Sequence, residues 1–136
     1  MTLRLIGIFL LVVTLSACSE PPYTNLDNEQ LQNMLQQEKA PLIDIRRVDE
    51  WRTTGVIEGS ELITFVDGNG RLNPGFFEQF SSKVGKNDPV ILICRTGNRT
   101  DVLARLLVEQ LGYTKVYNVR NGITSWISDN LPVKRL

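Results

Sequence analysis

Histidine is absent from all 136 residues. Its absence removes Cys–His and Ser–His catalytic pairs and every imidazole-based metal site. Any nucleophile in this chain therefore works without an imidazole base, and no metal or cofactor is expected. Cysteine is scarce, with Cys18 and Cys94 the two occurrences. Net charge is also missing, since 15 basic residues balance 15 acidic ones. No basic stripe runs along the chain, so nothing supports a nucleic-acid partner. Internal repeats and low-complexity stretches are lacking too. A chain of this length has room for one core.

What is present centres on Cys94, which begins the run Cys94-Arg95-Thr96-Gly97-Asn98-Arg99-Thr100. Before it lies Pro89-Val90-Ile91-Leu92-Ile93, an apolar, β-branched stretch that reads as a buried parallel strand. After it, Asp101–Leu111 carries apolar residues at helical spacing. A thiol thus stands where a strand ends and a tight loop leads into a helix N-terminus. The loop amides can curl into an anion-binding nest, with Gly97 supplying the positive φ this needs. The helix dipole adds partial positive charge, and Arg95 and Arg99 add full charges. All of these favour the thiolate. The plainer alternative is a buried strand-end cysteine, but such a residue needs neither a nest nor two arginines.

The other cysteine closes Leu15-Ser16-Ala17-Cys18, preceded by Arg4 and an apolar stretch from Leu5 to Leu15. That stretch is short for a membrane span and reads as an export signal. The Leu-Ser-Ala-Cys ending resembles the lipobox of bacterial lipoproteins. The resemblance implies a signal peptide over residues 1–17 and acyl chains such as palmitate on Cys18. Residues 18–24 would then be a short tether and 25–136 a single domain. It further implies a periplasm-facing protein held by lipid at the bacterial cell envelope. With Ser19 next, the outer membrane is expected if the host is a diderm. Cys94 would then be the single thiol of the mature chain, and no internal disulfide could form. One thiol in an oxidising compartment fits a working nucleophile better than a structural staple.

Along the domain, strand and helix signals alternate. Tyr23–Leu26 reads as a first strand. Asp27 with Gln30 forms a capping box for a helix that buries Leu31, Met34 and Leu35 and ends at Ala40-Pro41. Leu42–Ile45 is a strand, Arg47–Trp51 a helical turn, Gly55–Ser60 a loop and Glu61–Phe65 a strand. Asp67–Gly70 is an exposed turn. Pro74 takes the first position of a helix carrying Phe76, Phe77 and Phe80. Lys115–Val119 is a strand and Ile123–Ser128 a last helix with Trp126. The alternation predicts an α/β fold: a central, mainly parallel sheet of about five strands with helices on both faces. In such folds ligands bind at the carboxyl ends of the strands, where Cys94 falls.

Four separated signatures then resemble the single-domain rhodaneses. They are Asp44-Ile45-Arg46 with Glu50-Trp51, the Gly55–Ser60 loop, the Cys94–Thr100 loop, and Asn121-Gly122 with Trp126 and Leu131-Pro132-Val133. The resemblance implies a thiosulfate sulfurtransferase. The Cys94 thiolate would take the outer sulfur of thiosulfate as a persulfide, release sulfite, and pass the sulfur to cyanide or a thiol. Backbone N–H groups of residues 95 to 99 would hold the persulfide charge. Arg95 would face the anionic donor, and Arg99 would turn inward to Asp44 or Glu50 and fix the loop. Arg46 and Arg47 read as solvated charges, with Arg46 able to join the inner pair. Trp51 and Trp126 read as packing residues. The partners implied are a small sulfur donor and a thiol acceptor. The oligomeric state is left open, with a monomer the expectation.

The sequence departs from the family pattern at Val56, where His is usual, at Glu58, where Pro is usual, and at Asn121, a common Gly position that Asn fills by tolerating the left-handed region. Rhodanese-fold phosphatases and arsenate reductases carry five residues between cysteine and arginine. Four separate Cys94 from Arg99 here, a nest suited to sulfur. Binding modules of this fold without catalysis, and a thiol–redox role needing a partner thiol, are the remaining alternatives.

Overall fold

The computed structural model describes residues 18–136, so the expected signal peptide at 1–17 lies outside the described residues. Five parallel strands form one sheet in the order β1-β5-β4-β2-β3. They are β1 (Thr24–Leu26), β2 (Leu42–Asp44), β3 (Glu61–Leu62), β4 (Val90–Ile93) and β5 (Val116–Val119). Between them run α1 (Asn28–Gln36), α2 (Val48–Thr54), α3 (Phe76–Lys83) and α4 (Asn98–Glu109), with α5 (Gly122–Ser128) last. The central strand β4 is apolar throughout because both its faces are covered. Val90, Leu92 and Cys94 meet Phe76 and Phe80 of α3 and Leu103, Ala104 and Leu107 of α4 on one side. Ile91 and Ile93 meet Leu31 of α1 and Ile123 and Trp126 of α5 on the other. The expected α/β architecture with helices on both faces is the one observed, and the sheet is wholly parallel.

Several boundaries shift: β3 ends at Leu62, short of the expected Phe65, and α2 runs on to Thr54, past the expected Trp51. Helix α1 stops at Gln36, before the expected Ala40-Pro41, because Glu38 turns into the left-handed region at φ 49°. Helix α3 starts at Phe76 with Gly75 as its left-handed cap, so Pro74 precedes the helix instead of opening it. Helix α4 starts three residues ahead of the expected Asp101. Its first turn is closed by Asp101 N–H and Thr100 Oγ1 donating to the Gly97 carbonyl, each at 3.1 Å. The consequence is functional: Asn98, Arg99 and Thr100 are helical, and the loop proper is Cys94 to Gly97.

Candidate active site

Strand β4 delivers Cys94 to the carboxyl end of the sheet, directly below the N-terminus of α4. Gly97 makes the turn, with φ 93°. A side chain at Gly97 would be strained in this conformation and would also run into the Arg120 carbonyl. The Gly97 N–H donates to Cys94 Sγ at 3.2 Å, and Thr100 Oγ1 lies 3.3 Å from the same sulfur. The Thr100 hydroxyl also donates to the Gly97 carbonyl. It therefore accepts from a thiol as it stands, and serves a thiolate as donor by swinging its single proton round.

The small exposed thiol that a loop position suggests is not what the fold gives. Cys94 is 0% exposed and belongs to the core facing α3 and α4, so it is not an exposed thiol. Among the described residues, the backbone amide that hydrogen-bonds Sγ is that of Gly97. Cys94 follows the last residue of β4, Ile93, and continues the face that Val90 and Leu92 turn toward α3 and α4. The sulfur forms the floor of the nest, while Arg95 and Thr96 above it are exposed.

Support comes from two ion pairs. Arg99 crosses to α2 and grips Glu50 with two parallel hydrogen bonds of 2.8 and 2.7 Å. Burial pushes the Glu50 carboxyl upward, but the bonds from the Arg99 guanidinium and the Arg47 backbone N–H outweigh it and hold the group at about 2. Glu50 hydrogen-bonding raises Arg99 in turn, so the pair is ionised across the working range. The second pair is Arg46 with Asp44, at 2.8 Å, and here the reading of Arg46 as a solvated charge fails. Arg46 is 1% exposed, and its guanidinium is used up by the Asp44 carboxylate, Thr54 Oγ1 and the Gly55 carbonyl. A buried arginine needs such complete pairing. It ties β2 to the end of α2. Arg47, by contrast, is half-exposed and pairs loosely with Asp49 and Glu50.

Opposite α2, the start of α5 is stitched to the loop. Ile123 N–H donates to the Cys94 carbonyl at 2.9 Å and Thr124 N–H to the Arg95 carbonyl at 3.1 Å. The glycine-like residue at this junction is Gly122, at φ 62°, while Asn121 is at −108° and keeps out of the left-handed region. A Cβ on Gly122 would collide with the Arg95 backbone, and the glycine itself is the mark of this close approach in the sequence. Val56, in the usual histidine position, is buried, and its backbone pairs both ways with Lys134 at 3.0 and 2.7 Å. Cys18 is exposed.

A parallel α/β sheet with a cysteine at its carboxyl edge, capped by a glycine turn and a helix N-terminus, defines a cysteine-loop α/β domain. The sequence profile of the rhodanese-like domain matches residues 27–129. The chain belongs to the rhodanese-like domain family. It is 29% identical over 118 residues to thiosulfate sulfurtransferase GlpE of Glaesserella parasuis, covering 85% of this chain and 96% of that protein. It is 27% identical over 126 residues to rhodanese-like domain-containing protein 17 of Arabidopsis thaliana, covering 89% of this chain and 79% of that one. Among solved structures, Rv0390 from M. tuberculosis superposes with a TM-score of 0.69 at 26% identity, covering 84% of this chain and 99% of that chain.

Proposed function

We propose that this protein is a sulfurtransferase that carries sulfane sulfur as a persulfide on Cys94, with thiosulfate or a similar anion as donor and a thiophilic acceptor such as cyanide or a thiol. The observation that carries the reading is the Cys94 sulfur held between the Gly97 N–H and the Thr100 hydroxyl at the N-terminus of α4. A hydrogen-bond donor and a helix dipole at that point stabilise a sulfur anion. The thiolate attacks the outer sulfur of the donor, the S–S bond breaks, and sulfite leaves with the bonding electrons. No proton moves, in keeping with a chain that has no histidine. The new S–S bond places the outer sulfur about 2 Å further from the strand. There it reaches the remaining amides of the loop, and its charge is held by residues 95 to 99. Arg95 meets the donor's oxygens, while Arg46 with Asp44 and Arg99 with Glu50 keep the frame.

The name of the Glaesserella relative and the family match support this reading. Cys18 is read as the lipidated first residue of the mature chain, which places the domain at the envelope on a short tether. Intact mass spectrometry after thiosulfate tests the chemistry. A gain of one sulfur atom, lost on adding cyanide and absent in Cys94→Ser, is expected. No gain in the wild type overturns it.

A further inference from the structure

Tyr23 is the last residue before β1, and its side chain leaves the sheet edge for α4. Its phenol donates a hydrogen bond to the Asp101 carboxylate. Arg105, one turn further along α4, pairs with the same carboxylate oxygen at 3.0 Å. The Arg105 guanidinium also lies over the Tyr23 ring, 5.8 Å from its centroid. The ring packs against the core cluster that holds Cys94. Burial, and then the carboxylate beside it, raise the phenol above its ordinary value, so Tyr23 stays protonated and donating. These three side chains meet on the turn that builds the nest. Asp101 lies in the first turn of α4. Its N–H donates to the Gly97 carbonyl at 3.1 Å, and the Gly97 N–H donates to Cys94 Sγ.

A carboxylate in this turn competes with the sulfur. Acidic groups near a helix N-terminus are drawn to its free N–H groups and to the positive end of its dipole. The same groups favour a thiolate at Cys94, and a second negative charge beside them disfavours it. The Asp101 carboxylate is instead taken up by one hydroxyl and one guanidinium. We infer that Tyr23 is a positioning residue for the Cys94 sulfur: with Arg105 it draws the Asp101 carboxylate toward the β1 edge and leaves the N-terminus of α4 to the sulfur. The inference rests on the sulfurtransfer reading, in which Cys94 is the nucleophile, and adds to it a residue that acts through Asp101.

The full-length protein is alkylated with iodoacetamide across a range of pH, and Cys94 is followed by mass on its own peptide, apart from Cys18. Tyr23→Phe keeps the ring under Arg105 and deletes the hydroxyl. Its rates on the rising limb of the pH profile are expected to fall about threefold, with the high-pH plateau within about twofold of wild type. Asp101→Asn removes the charge and is expected to react at least as fast as wild type. The double variant is expected to follow Asp101→Asn, so that the loss in Tyr23→Phe is rescued. A Tyr23→Phe profile that superposes on wild type overturns the inference. A double variant as slow as Tyr23→Phe also overturns it, because the carboxylate is then not the cause. Sulfur loading by thiosulfate is measured alongside. No loading in the wild type overturns the sulfurtransfer reading, and this inference with it. Normal loading with an unmoved alkylation profile in Tyr23→Phe overturns the inference alone.

Discussion

The Arg99 guanidinium lies against the Glu50 carboxylate in a bidentate pair, joining the first turn of α4 to the first turn of α2. Planar two-point pairing of this kind fixes direction as well as distance. It sets the angle at which the α4 N-terminus meets the Cys94 sulfur.

This pair makes stability depend on acid. The Glu50 carboxyl sits at about 2 in the folded protein against 4.5 for the free group. A depressed carboxyl contributes stability that is fully present above its unfolded value and is lost as pH falls through the folded one. The window is therefore pH 4.5 down to 2, and solvent screening at this part-exposed pair keeps the contribution well below the full Coulombic value. Urea midpoints of wild type should fall across that window more steeply than those of Glu50→Gln. Parallel curves for the two proteins would show that the pair is not coupled to folding.

Burial of Cys94 changes what its removal should do. Cys94→Ala takes a sulfur out of a closed apolar cluster and leaves a small void, so a loss of about 1 kcal/mol is expected alongside the loss of sulfur transfer. Thermal unfolding and thiosulfate:cyanide turnover measure the two effects separately. Substantial turnover in the alanine variant would end the case for a Cys94 persulfide.

Thr100 offers a finer test. Thr100→Val keeps the shape and deletes the hydroxyl that lies 3.3 Å from the sulfur. The anion then loses one of its two hydrogen-bonding neighbours, worth about 0.5–1.5 kcal/mol. Alkylation of Cys94 by iodoacetamide at neutral pH should slow about two- to tenfold. An unchanged rate would mean that the hydroxyl serves only the Gly97 carbonyl.

Much of this was legible from residue patterns. The apolar run at Val90–Ile93 fits a strand buried on both faces, and its alternation with helix signals makes that strand part of a parallel sheet. The Asp27–Gln30 capping box is visible in four residues and forms as written. Arg99 was expected to choose Asp44 or Glu50, and it takes Glu50 because Arg46 already occupies Asp44. That occupation could not be read beforehand. A charged side chain in a short turn reads as solvated until the fold closes over it, and Arg46 is buried only because Thr54 and Gly55 come back across it. The depth of Cys94 was hidden for a related reason. A sequence shows that a strand ends near a residue, but not on which side of the last core layer.

The proposed lipid anchor rests on the Leu15-Ser16-Ala17-Cys18 ending. Lipid on that residue would leave at most the six residues Cys18–Tyr23 before β1 begins, a reach of about 20 Å. Metabolic labelling with a fatty acid should mark the wild type and fail to mark Cys18→Ser. A wild type that is unlabelled and recovered wholly in the soluble fraction would remove the anchor.

Arg95 separates donor binding from sulfur reactivity. It is exposed at the mouth of the loop, makes no ion pair among the described residues, and lies one residue from Cys94. A guanidinium there reaches the terminal oxygens of a dianionic donor through charge-assisted hydrogen bonds. Losing them should cost about 1.5–3 kcal/mol of donor binding, or about ten- to a hundredfold in kcat/KM for thiosulfate. An uncharged alkylating agent makes no use of that guanidinium. Its rate depends on the Gly97 amide, the Thr100 hydroxyl and the α4 dipole, all of which Arg95→Gln leaves in place. The measurement compares Arg95→Gln with wild type on thiosulfate and on iodoacetamide. A selective fall with thiosulfate assigns the side chain to the donor. If both rates fall by the same factor, the arginine acts on the sulfur itself, and the donor's oxygens must find their partner elsewhere.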